Sequence, residues 1–117
     1  LARILIVDDE EAIRDILKIF LGLRHTYFDA RDGVEAVEVY KREKPDIVIM
    51  DIRMPRMSGI EAIKKIKEVN PEAKVIVLTA FAAGRKEEIL KAGADKILEK
   101  PLRKSRIVGA VEEFLGK

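Results

Sequence analysis

Short β-branched apolar runs alternate along this chain with longer stretches whose apolar residues recur every three or four positions. Ile4-Leu5-Ile6-Val7, Ile47-Val48-Ile49-Met50 and Val75-Ile76-Val77-Leu78 are the strongest runs. They predict strands over 3–7, 47–50 and 74–78, with weaker strands over 26–30 and 96–99. Between them, Ile13, Ile16, Leu17, Phe20 and Leu21 form a stripe at helical spacing within Glu11–Leu23. Val34, Val37 and Tyr40 do the same within 34–42, and Ile60, Ile63 and Ile66 between Ser58 and Val69. Helices over 85–92 and 104–115 complete five β/α units. Such alternation predicts βαβ crossovers and a parallel sheet.

The punctuation agrees. Asp9 or Glu10 is placed to cap the first helix, and Ser58 with Glu61 three residues on reads as a capping box. Arg31-Asp32-Gly33 and Lys44-Pro45-Asp46 read as turns, Asn70-Pro71 as a helix stop, and Gly93 as a left-handed cap. Strands buried on both faces are continuously apolar, so the first, third and fourth belong in the centre and the mixed second and fifth at the edges. The expected fold is α/β: a doubly wound five-stranded parallel sheet, order 2-1-3-4-5, flavodoxin-like, with helices on both faces.

That order gives the polar residues ending each run their meaning. Asp8-Asp9, Asp51, Thr79 and Lys100-Pro101 each stand where a strand stops. Ligands of open α/β sheets bind at that carboxyl edge, and the switch point between the first and third strands receives Asp8, Asp9 and Asp51. Three close carboxylates repel one another unless a proton or cation intervenes. Oxygen-only donors select a hard cation, and Mg²⁺ suits a site of a few carboxylates that keeps its waters. A carboxylate beside Mg²⁺ can attack phosphorus. The metal, the Lys100 ammonium and the Thr79 hydroxyl would then serve the three equatorial oxygens.

Composition narrows the alternatives. The 117 residues suit one domain, 1–117, with a core of its own. Lys and Arg number 23 against 21 Asp and Glu, so net charge predicts neither nucleic-acid nor membrane binding. Cysteine is absent, which excludes disulfides and thiolate chemistry. His25 is the sole histidine, which excludes a histidine-rich metal site and reads as a solvated loop residue. No apolar stretch approaches the length of about 20 residues needed to span a bilayer, and no signal peptide is evident, so a cytoplasmic location is expected; a monomer is expected separately. The basic residues of the last two units are interleaved with acids, which reads as solvated surface.

Val7-Asp8-Asp9-Glu10, Asp51-Ile52-Arg53-Met54-Pro55, Ser58-Gly59, Leu78-Thr79-Ala80, Gly93-Ala94 and Lys100-Pro101 together resemble the response-regulator receiver domain of two-component signalling, across essentially the whole chain. The resemblance implies that Asp51 is the phosphoacceptor, that Asp9 ligates Mg²⁺ directly and Asp8 through water, and that the main-chain carbonyl of Arg53 is a further ligand. It implies that Thr79 and Lys100 hold the phosphoryl oxygens, that the small Ala80 leaves room for the group, and that the bond before Pro101 is cis. The implied partner is a histidine kinase or a histidine phosphotransfer protein, docking on Ala12, Ile13, Ile16, Pro101 and Leu102. Weak self-phosphorylation and self-dephosphorylation are implied, in a regulator and not a metabolic enzyme.

Three departures from the family pattern stand out. Ile97 occupies a position that is aromatic in most receivers, which argues against aromatic switching. The segment from Thr79 to Gly93 is about one residue short of the common pattern, with the Ala82-Ala83-Gly84 loop altered. Arg53 and Phe81 are bulky at two positions that influence water access, which predicts a longer-lived phosphate. Two rivals are weighed. A haloacid-dehalogenase-like phosphohydrolase would carry a second acid where Arg53 stands, and a phosphate-independent interaction domain would not need the intact polar set.

Overall fold

The computed structural model describes residues 1–54, 56–80 and 84–116. Phe81, Ala82 and Ala83 of the shortened loop lie outside the described residues. The chain runs β1 (Arg3–Val7), α1 (Glu11–Leu21), β2 (Thr26–Ala30), α2 (Gly33–Glu43), β3 (Ile47–Asp51), α3 (Gly59–Val69), β4 (Val75–Thr79), α4 (Lys86–Ala92), β5 (Lys96–Glu99) and α5 (Lys104–Phe114). All four strand pairings are parallel, and the order is β2-β1-β3-β4-β5, as the runs predict.

The period of two along each strand divides the core. Leu5, Val7, Val48, Met50, Val75 and Val77 face one side, packed with Val37, Tyr40, Ile60, Ile63, Ile66 and Ile89 of α2, α3 and α4. Ile4, Ile6, Ile49, Ile76 and Leu78 face the other, packed with Leu17 of α1 and Ile107, Ala110 and Val111 of α5. Each Val, Leu, Ile or Met among them, taken fully from water, contributes about 1.5–3 kcal/mol. Strands β3 and β4 are buried throughout and β1 from Ile4 onward, whereas β2 and β5 are only partly covered. The edge assignments follow from that difference.

Several local expectations need correcting. Helix α1 stops at Leu21, two residues early, because Gly22 turns to φ 92° and donates its N–H to Lys18. Neither Asp9 nor Glu10 caps that helix with its side chain. Glu10 holds the N-cap position without a cap bond, and its N–H donates instead to Asp8 Oδ1 at 2.9 Å. Asp32 is more than a turn residue: it caps α2, accepting from the Glu35 N–H at 2.8 Å. Ser58 caps α3 as predicted, with Oγ 3.3 Å from the Glu61 nitrogen. His25 is not free in solvent either, since its Nδ1 accepts the Ala2 N–H at 3.0 Å.

Candidate functional site

Strand register brings the polar residues to one level. Val7 lies opposite Met50, so Asp8 and Asp51 follow in step at the ends of β1 and β3. Asp51 lies opposite Leu78, which puts Thr79 one residue further along β4, and Thr79 lies opposite Glu99. Lys100 is the next residue, and its N–H donates to the Thr79 carbonyl at 2.8 Å. The Lys100–Pro101 bond is cis, as the resemblance implies. Asp51 and Thr79 are the last residues of their strands, so the sheet itself holds their main chains.

The side chains converge. The Lys100 Nζ is 3.5 Å from Asp51 Oδ2 and 4.0 Å from Asp8 Oδ2. Asp8 is 1% exposed and Asp51 8% exposed, Thr79 is buried, and Lys100 is partly covered. Burial pushes the Asp8 carboxyl up to about 6. The Glu10 N–H and Lys100 oppose that rise, while the charges of Asp51 and Asp9 add to it. Asp51 also accepts the Arg53 N–H at 3.1 Å, which turns the chain sharply after β3.

Asp8, Asp9 and Glu10 can each bring an oxygen within 4.8 Å of the other two. Asp51 joins this group through its electrostatic contact with Asp8 and through the shared Lys100, and is not one of that compact trio. Glu10 was not singled out as a donor by the sequence reading. Its adjacency to two strand-end acids is the signal that could have raised it. The donors are all oxygens, and burial, helped by the neighbouring acids, disfavours the Asp8 charge unless a cation offsets it, so the set fits a hard divalent cation.

Arg14 is a second residue the sequence reading did not bring to the site. Buried on α1, it donates from Nη1 to the Asp8 carbonyl at 2.6 Å and from Nε to Asp29 at 2.8 Å. It braces the main chain of Asp8 from behind, and Lys18 adds a 2.7 Å ion pair to Asp29.

The remaining predicted residues fall nearby with different surroundings. Arg53 and Ala80 are exposed. Ile97 is half-buried, opposite Val77 and against the α2–α4 side of the core. Ala12, Ile16 and Pro101 are exposed, whereas Ile13 and Leu102 are half-buried and pack on the α1–α5 side of the core. Ile13 and Leu102 therefore have structural partners of their own. No helix among the described residues is long and apolar enough to cross a membrane.

Known proteins resemble this chain in sequence and fold. The response regulator receiver domain family matches residues 4–112. A chemotaxis protein CheY from Thermotoga maritima is 45% identical over 95% of each chain. A CheY-like receiver domain structure from Methanospirillum hungatei superposes with a TM-score of 0.92 at 31% identity, covering 99% of this chain and 94% of that one. A Borrelia burgdorferi structure, described as a CheX-CheY-BeF3-Mg complex, gives a TM-score of 0.87 at 31% identity, covering 98% and 90%. The phosphohydrolase alternative finds no support in these matches, in keeping with Arg53 at the position its second acid would need. The chain belongs to the response regulator receiver domain family of two-component signalling.

Proposed function

We propose that this receiver domain accepts a phosphoryl group on Asp51, with Mg²⁺ bound beside it, from the phosphohistidine of a kinase or phosphotransfer protein. The observation that carries this reading is the Lys100 ammonium 3.5 Å from Asp51 and within 4.0 Å of Asp8, at the carboxyl edge of a parallel sheet. A free carboxylate oxygen of Asp51 attacks phosphorus, forming the O–P bond as the N–P bond to the donor imidazole breaks. In such in-line transfer the protein mainly positions groups and neutralises charge on the equatorial oxygens.

Asp8, Asp9, Asp51 and the Arg53 carbonyl would hold the ion, with Glu10 close enough to assist; when bound, Mg²⁺ neutralises the acids and one phosphoryl oxygen. Lys100 already faces Asp51 and supplies a point charge to a second oxygen. Thr79, fixed at the end of β4, presents its hydroxyl to a third. Arg14 and Arg53 act earlier: Arg14 secures the Asp8 backbone, and the Arg53 N–H keeps one Asp51 oxygen occupied, leaving Oδ2 toward Lys100. Slow phosphorylation from small donors and slow hydrolysis belong to the same reading, with the bulky Arg53 limiting the access of water to the product.

Phosphorylation takes Asp51 from about −1 to about −2 charge and adds acceptor oxygens. Lys100 and Thr79 are drawn to them, which biases the packing of the last two β/α units. The CheX-CheY complex of Borrelia burgdorferi supports a protein-binding role for a domain of this kind, and Ala12, Ile16 and Pro101 are exposed apolar positions that would meet the phosphodonor.

The test is incubation with acetyl phosphate, with and without Mg²⁺, followed by intact mass. Wild type should gain one phosphoryl group only when Mg²⁺ is present, and Asp51→Asn should gain none. Equal labelling of both proteins would refute the assignment.

A further inference from the structure

Outside the acid cluster, the segment after β3 is tied down at a place that neither charge pattern nor motif explains. Arg56 reaches across to Asp32, the N-cap of α2, with Nε 2.8 Å from Oδ2 and Nη2 3.1 Å from Oδ1. The contact is a bidentate fork, the geometry that makes arginine and carboxylate pairs specific as well as strong. Asp32 is buried and also accepts the Glu35 N–H, so its orientation is set before Arg56 arrives.

Two observations make this more than a surface ion pair. Arg56 sits at φ 67°, a left-handed conformation that a side chain with a Cβ adopts only at some expense. The adjoining Met57 then lies so close to α2 that a Cβ on Gly33 would meet its carbonyl oxygen at 2.4 Å. The other end of the segment is held as tightly. Gly59 donates its N–H to the Ile52 carbonyl at 2.9 Å, and a Cβ there would meet Asp51 O and Ile52 Cα at 2.7 Å. Between these fixed ends Arg53 is exposed, held chiefly by its N–H to Asp51 Oδ1. If Arg56 relaxed to a right-handed φ, its tie to α2 would no longer match the tie between Gly59 and Ile52, and Arg53, exposed next to Ile52, is free to shift.

We propose that the Asp32–Arg56 fork is a positioning latch that sets the main-chain carbonyl of Arg53 for the divalent ion. This rests on the phosphoacceptor reading above. Mg²⁺ demands near-ideal octahedral geometry at about 2.0–2.1 Å, so a carbonyl displaced by a fraction of an ångström is a poor ligand. Groups that orient ligands without touching the metal typically change affinity by about 10–100-fold when removed.

The sign of the effect separates the latch from simple electrostatics. Removing a cation near an anionic site tightens cation binding by Coulomb's law alone. The latch requires the reverse. Mg²⁺ dissociation constants measured by calorimetric titration for wild type, Arg56→Ala, Asp32→Asn and the double variant decide it. Amide exchange at Arg53 in the ion-free proteins accompanies them, with amide spectra verifying that the sheet is intact. Each single change should weaken Mg²⁺ binding about tenfold, the double variant should be no weaker than either, and the Arg53 amide should exchange faster in all three. Equal or tighter binding by Arg56→Ala, additive losses in the double variant, or an unchanged Arg53 amide would overturn the latch. A wild type that binds no Mg²⁺ would instead overturn the reading beneath it.

Discussion

The first three β/α units and the last two are built to different tolerances. In the first part, α2 and α3 begin on side-chain caps from Asp32 and Ser58. Gly33 and Gly59 leave no room for a methyl group, Arg14 and Lys18 tie α1 to Asp29 of β2, and Arg56 ties the segment after β3 to α2. In the second part, α4 is seven residues long and neither it nor α5 has a side-chain cap bond. The two parts are stitched at the amino edge of the sheet, where Lys67 Nζ lies 3.0 Å from Asp95. At the carboxyl edge they meet across Lys100, Asp51 and Asp8. The acids therefore sit on the tightly fitted part, and Thr79 and Lys100 are followed by segments whose helices lack side-chain caps. Functional motions are drawn from such less restrained regions.

The largest expected effect tests the tight fit. Gly59→Ala forces a Cβ into main-chain atoms of Asp51 and Ile52 and should lower unfolding free energy by about 3 kcal/mol in denaturant titrations. Next comes the acid cluster. Burial pushes the Asp8 carboxyl up to about 6 from an ordinary 3.8, so between those values the fold holds a proton the unfolded chain has released. Stability of the ion-free protein should therefore fall as pH rises through that window and stay lowered above it. Asp8→Asn removes the penalty and should stabilise the ion-free protein at pH 8 by on the order of 2 kcal/mol, with the gain vanishing in acid. Asp32 runs the opposite way. Hydrogen bonds from Arg56, and then the Glu35 N–H, hold its carboxyl below the usual range against some burial. Its contribution is present at neutral pH and lost as pH falls through its lowered value.

Smaller changes sharpen the contrast between parts. Ser58→Ala removes a working cap and should cost about 1 kcal/mol, whereas Arg103→Ser supplies one where α5 has none and should gain up to about 1 kcal/mol. Gly109 lies in α5 with open space around it, so Gly109→Ala should gain about 0.5–1 kcal/mol in thermal melts, opposite in sign to Gly59→Ala.

Much of this was legible in the sequence, and the exceptions share a cause. The three central strands follow from unbroken apolar runs, and their order from the contrast with mixed Thr26–Ala30 and Lys96–Glu99. Once that order is granted, Asp8, Asp51, Thr79 and Lys100 must share an edge. What escaped was the bracing. Arg14 meets Asp29 15 positions away, and Arg56 meets Asp32 24 positions away. Such partners are chosen by packing, which leaves no periodic trace. Gly22 ended α1 two residues early because a positive φ overrode the apolar Leu23 beyond it. Ile13 and Leu102 look like a docking surface in sequence, yet much of each belongs to the core.

Phosphorylation-dependent amide exchange tests the switch most directly. Amide hydrogen exchange is followed across the chain in Mg²⁺, before and after acetyl phosphate, with Asp51→Asn as reference. Wild type should change at Thr79, Lys100, β5 and the starts of α4 and α5, with α2 and α3 unaltered and the variant silent throughout. Changes centred on α2 and α3, or the same changes in Asp51→Asn, would contradict it.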